Sequence, residues 1–243
     1  RGLGQIAGTL TLESGSVMNL NTGGANGWRI SGTVNNSGTI NFNANHIFNL
    51  GGGTINNLTG ANINFNSDFS PSTGGTINNT GTITKTDSST LAFPSVINNQ
   101  LGGNILIQNG ILDINATGNH DGSFVISSGS TLELGVAPST VTFGANSSIT
   151  GAGDVKFGQT GSAGITFNNA ATYSITGNTD IPFGTVTFPG AATTNTLTMT
   201  NTGSPLSARI FGSLTVASSF DWSAGQIDGT LTANGTTNIN GDV

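Results

Sequence analysis

The sequence predicts an all-β chain wound as a single-stranded parallel β-helix, a solenoid of about eleven coils of roughly 20–24 residues. Three observations predict it. The chain is poor in charge and rich in Thr, Asn and Gly. A short Asn-Asn motif returns about every 20 residues. The apolar residues between those returns alternate with polar ones over four-residue stretches.

Of 243 residues only 7% are charged, while Gly numbers 38, Thr 37 and Asn 31. A helical soluble protein solvates its outer faces with Lys, Glu and Arg, whereas Asn and Gly are poor helix formers and Thr favours strands. Disorder is the competing reading of such a composition, but disordered chains lack regularly spaced β-branched and aromatic residues. This chain has them throughout.

The repeat begins at Gly32-Thr33-Val34-Asn35-Asn36 and returns at Gly53-Thr54-Ile55-Asn56-Asn57 and Gly75-Thr76-Ile77-Asn78-Asn79. A looser copy is Ser95-Val96-Ile97-Asn98-Asn99. Each copy precedes a second strand-like run: Thr39-Ile40-Asn41-Phe42, Asn62-Ile63-Asn64-Phe65, Thr82-Ile83-Thr84 and Asn104-Ile105-Leu106-Ile107. A third apolar patch follows in several copies, as at Ile47-Phe48-Asn49-Leu50, Thr90-Leu91-Ala92-Phe93 and Ile111-Leu112-Asp113-Ile114. Coils this small cannot bury their own apolar side chains, so they must stack, with matching strands pairing in parallel. About eleven coils make a rod on the order of 50 Å long. Gly at the corners is expected to supply unusual backbone angles.

The Asn pairs predict a ladder. With one amide of each pair turned inward and its equivalents stacked coil on coil, Asn35, Asn36, Asn56, Asn57, Asn78, Asn79, Asn98 and Asn99 can hydrogen-bond along the axis. An inward Asn without such a partner would be a costly buried polar group.

The coils are regular over about 30–115 and looser over 116–243, with no composition shift, so 1–243 reads as one continuous β-helix. Strand-like runs continue at Phe124-Val125-Ile126, Thr131-Leu132-Glu133-Leu134, Val141-Thr142-Phe143, Val155-Lys156-Phe157, Ile165-Thr166-Phe167 and Val186-Thr187-Phe188. Later ones are Leu197-Thr198-Met199, Leu214-Thr215-Val216 and Leu231-Thr232-Ala233. Pro189 and Pro205 interrupt ladder bonding, so 188–205 is expected to be an outward loop. Strand-like text at both ends predicts a segment of a larger chain.

Net charge is −6 with five scattered basic residues, Arg1, Arg29, Lys85, Lys156 and Arg209, which argues against phosphate neutralisation and hence nucleic-acid binding. No apolar run reaches the roughly 18 residues of a membrane span. Without Cys there is no disulfide or thiolate site, and His46 and His120 form no zinc motif. Neither a calcium-binding nonapeptide nor an EF-hand loop occurs. Asn119-His120-Asp121-Gly122 and Gly153-Asp154 could offer oxygens to calcium but read first as turns. No metal or cofactor is expected.

Many β-helices cleave polysaccharides, so the carboxylates matter. Hydrolysis uses two of them on one face, roughly 5–10 Å apart. Asp113, Asp121 and Glu133 are the candidates, with His120 as acid or base. Asp113 and Glu133 are one coil apart and could stack on one outer face; equally, each could be the outward residue of an amphipathic strand. Asp221 and Trp222 are the candidates for a glycan contact, through ring stacking beside a carboxylate.

Gly75–Ile83, Ser127–Leu134, Ser148–Val155 and Phe220–Leu231 carry a likeness. They make the chain resemble the repeat regions of bacterial type V secreted proteins: autotransporter passengers and filamentous-haemagglutinin-like adhesins. That resemblance implies a right-handed helix, exported unfolded and folded outside the cell. It further implies a non-catalytic structural or adhesive rod on the bacterial surface. Its partners would be neighbouring coils of a larger chain, identical subunits end to end, or surface glycans and other cells.

Overall fold

The computed structural model describes residues 4–21, 27–43, 47–67, 70–72, 74–135, 140–158, 164–200 and 208–240. All regular elements among them are strands, and the pairings between them are parallel and join adjacent coils. The protein is a β-solenoid with three faces per coil.

The first face stacks Thr9–Leu12, Thr33–Asn36, Thr54–Asn57, Thr76–Asn79 and Val96–Asn99. Above them come Asn119–His120, Thr140–Phe143, Gly164–Phe167 and Thr185–Thr187. The second face starts with Val17–Leu20, Thr39–Phe42, Asn62–Phe65, Thr82–Lys85 and Asn104–Ile107, and continues through Ser123–Ile126 and Ser148–Gly151. The third includes Thr90–Phe93, Ile111–Ile114, Thr131–Leu134 and Asp154–Phe157.

About eight turns are built this way from three separate short strands, fewer than the uniform set expected. Beyond them the second and third faces merge into the long strands Thr172–Ile181, Ala192–Met199 and Ser213–Trp222. The corner between the two faces survives there only as a register shift, between Ile175 and Asn178 against the next strand. Ala192–Met199 lies inside the stretch expected to loop outward. It pairs with strands on both sides, so Pro189 ends one strand without breaking the stack. Pro205 and His46 lie outside the described residues.

Alternation carries the core. In Thr39–Phe42, Ile40 and Phe42 point in while Thr39 and Asn41 face out, and most strands repeat the pattern. The inward residues join one cluster running from Leu20 to Phe220. Removing such side chains from water at about 25 cal/mol per Å² of apolar area is the main drive to stack.

The corner glycines serve two purposes. Gly102 has φ +85 in the turn from the first to the second face, with open space around a would-be Cβ. Gly53 and Gly81 have no left-handed backbone. A Cβ on Gly53 would sit 2.4 Å from the Ile30 carbonyl oxygen, and one on Gly81 2.5 Å from that of Ala61. There Gly is required because the coil below passes too close for a side chain, not for the backbone angles expected.

Candidate functional site

The Asn pairs of the first face make two columns. Asn36, Asn57, Asn79 and Asn99 are fully buried. Asn36 Nδ2 donates to Asn57 Oδ1 at 2.8 Å, Asn57 to Asn79 at 2.7 Å and Asn79 to Asn99 at 2.8 Å. Each of these amides also donates to the carbonyl that opens the second-face strand one coil on, as Asn57 does to Thr82 at 3.1 Å. The outer column runs the other way: Asn56 donates to Asn35, Asn78 to Asn56 and Asn98 to Asn78, at 2.9–3.0 Å. Two further ladders, Asn19–Asn41–Asn64 and Asn21–Asn43–Asn66, stripe the second face and its edge. Their spacing of 22 and 23 residues is visible in the sequence.

The inner amide column ends at His120, whose Nδ1 accepts from the Asn99 backbone N–H at 3.4 Å. His120 is buried, with its ring 5.0 Å from Phe143 and 5.1 Å from Phe124. Above it, Phe143 stacks on Phe167 at 4.5 Å, and Phe167 on Phe188 at 6.1 Å. Burial pushes the imidazole pKa down to about 3, so His120 is neutral near pH 7. Nε2 is buried without a hydrogen-bond partner. The role of an exposed acid or base, considered from sequence, does not suit a ring packed in the core.

Asp113 and Glu133 do come together. They are direct neighbours in register on the third face, and Lys156 and then Asp180 continue the column. The two carboxylates are also buried, at 5% and 9% exposure. Asn115 Nδ2 donates to Asp113 Oδ2 at 2.5 Å, and Lys156 Nζ lies 3.4 Å from Glu133 Oε1. Burial lifts the Asp180 pKa above the usual carboxylate range, against the pull of Lys156 and with a push from Glu133.

Asp121 stands apart from this column, at the corner between the first and second faces. Its two oxygens accept from the backbone N–H and the Nδ2 of Asn146, each at 3.0 Å. Those bonds lower its pKa.

Asp221 and Trp222 do not share a site. Along Ser213–Trp222, Phe220 points into the core and Asp221 out, and Trp222 turns back to pack against the core. The Trp222 ring stacks on Phe220 at 5.7 Å. Asp221 instead accepts from Asn238 Nδ2 at 2.6 Å.

Three polar features, two buried and one open to solvent, have no motif in the sequence. Lys85 occupies an inward position beside Phe65 and Ile107, and its ammonium donates to the carbonyls of Asp87 and Asn109. Tyr173, Thr179 and Thr194 form a buried hydroxyl chain with bonds of 2.7 and 2.8 Å where the two faces merge. The third is an open groove of about 560 Å³ near Asp121, walled by Asn98, Gln100, Leu101, Asn119 and Thr142. Among the described residues no group of three or more acidic or His side chains is placed to hold a metal ion.

No protein-family model, curated protein or solved structure was found to match this chain.

Proposed function

We propose that this protein is a structural, adhesive rod: a segment of a secreted bacterial surface fibre that acts by reach, stiffness and side-face contact, without catalysis. The observation that carries the reading is the unbroken stack. Adjacent described coils are tied by parallel ladders, one core runs from Leu20 to Phe220, and four Asn columns lie along the axis between residues 19 and 99. Such a rod cannot bend without breaking axial bonds in series. A right-handed sense, the general handedness of parallel β connections, belongs to this reading. The outer faces are dressed with Asn, Thr and Ser, which stay hydrated without charge. Neighbouring coils of a longer chain, or identical subunits end to end, are its natural structural partners.

Electron microscopy of the native material from cells tests this. Uniform fibres a few nanometres across are expected, and compact isolated particles would count against the rod.

The Asp113–Glu133 column favours a second reading, glycan cleavage, because it sets two carboxylates one strand spacing apart, with Asp180, whose pKa burial raises, beyond Lys156 in the same column. Incubation with neutral and acidic polysaccharides tests it: release of reducing or unsaturated ends, abolished in Glu133→Gln, would establish a hydrolase or lyase.

A further inference from the structure

The first face narrows abruptly at one coil in the middle of its stack. Below and above, its strands are four residues long, Val96–Asn99 and Thr140–Phe143, but between them only Asn119–His120 pairs. The break shows in the hydrogen bonds. The Asn119 backbone N–H is turned onto Asn98 Oδ1 at 3.2 Å, and the Asn99 N–H onto the His120 ring, where backbone carbonyls serve in the regular coils. The missing width of strand leaves the groove of about 560 Å³.

Its walls are chemically specific. The Asn119 and Gln100 side chains are exposed and make no hydrogen bond among the described residues, so their amides present donors and acceptors to solvent. Thr142 adds a hydroxyl. Asp121 adds a carboxylate anchored at both oxygens by Asn146, and each oxygen keeps a further lone pair. Leu101, 65% exposed, gives an apolar ledge. At the floor His120, 1% exposed, carries a ring nitrogen without a partner. Among the described residues no Lys or Arg lines the groove.

We infer that this groove binds one or two residues of a neutral carbohydrate chain. Vicinal hydroxyls pair with an amide or a carboxylate through two parallel bonds, and the C–H face of a sugar ring rests on an aliphatic ledge. A single fixed carboxylate with no nearby cation repels uronates, sulfates and sialic acids. The groove is open along the side of the rod, which suits a chain lying across it more than a ligand that must be enclosed. This inference rests on the reading of the protein as an adhesive rod and names what its side face grips.

The test is titration calorimetry with cellohexaose, chitohexaose and mannohexaose, and with oligogalacturonate as the acidic probe. It uses the wild-type chain and Asp121→Ala, Asn119→Ala and the control Asn62→Ala, an exposed residue of the second face. Binding of at least one neutral oligosaccharide is expected. It should weaken about tenfold or more in the two groove variants and be unchanged in the control. Circular dichroism spectra identical to wild type assign the loss to the groove. If Asp121→Ala fails to fold, Gln100→Ala and Leu101→Ser, both on exposed turn positions, replace it. Absence of binding to all probes, stronger binding of oligogalacturonate, or affinity untouched by the groove variants would overturn the proposal. None of those results bears on fibre formation, which microscopy reads separately.

Discussion

A single inward position of the first face holds Asn36, Asn57, Asn79 and Asn99, then His120, then Phe143, Phe167 and Phe188. The lower part of the column is amide and the upper part aromatic. Histidine suits the junction because it has a nitrogen to accept from Asn99 and a ring to pack beside Phe143. The inner amides donate forward because their second N–H must reach a carbonyl of the later coil. The outer amides, free of that demand, run opposite, so the two dipole columns oppose each other. Asn57→Ala removes a group with two donors engaged and strands the amides on either side. It should cost about 3 kcal/mol, whereas Asn56→Ala on the outer face should cost less than about 1, as read by urea unfolding. His120 also imposes a pH dependence. Its folded pKa of about 3 lies below the ordinary 6.5, so between those values the unfolded chain binds more protons. That part of the stability is complete above pH 6.5 and is lost as pH falls towards 3, with a slope approaching about 1.4 kcal/mol per pH unit. His120→Phe should flatten the slope in unfolding measured at pH 4 and pH 7.

Strands and turns show how stacking reassigns residues that look alike in sequence. Gly81 and Gly102 both sit at turns between the first and second faces. An alanine at Gly102 meets only the cost of a left-handed backbone, about 1 kcal/mol. An alanine at Gly81 meets the carbonyls of Ala61 and Leu58, both 2.5 Å from its Cβ, and must push two coils apart. Gly81→Ala should therefore lower the melting temperature several times more than Gly102→Ala, measured by circular dichroism. Lys85 follows the same logic. Read along Thr82–Lys85 its position is inward, and the strand keeps its register because the long stem lies in the core while the ammonium reaches the carbonyls of Asp87 and Asn109. Coil length varies too, from 17 residues between Asp221 and Asn238 to 25 between Asp121 and Asn146. Turns absorb the difference, so the strands above and below still meet.

Across the whole molecule, cohesion comes from burial and axial hydrogen bonds with little help from charge. The ion pairs among the described residues are Lys85–Asp87, Lys156–Glu133 and Arg209–Asp228. Salt screens exposed pairs and leaves amide ladders alone, so raising NaCl from 0.05 to about 1 M should shift the melting temperature by less than about 3 °C. A larger fall would mean that charge holds the rod together. The parallel solenoid and its inward and outward residues over the regular coils are legible in the sequence. Both follow from a repeat near 20 residues and from the two-residue alternation of a strand, which are properties of the chain read in one dimension. The sequence also paired Asp113 with Glu133, because one coil separates them. Tertiary structure alone decided the rest. The merging of two faces after Thr172, the packing of His120 among aromatic rings and the groove beside Asp121 all depend on which residues of different coils share one level. Turns of unequal length set those levels, and no local pattern encodes the sum of their lengths.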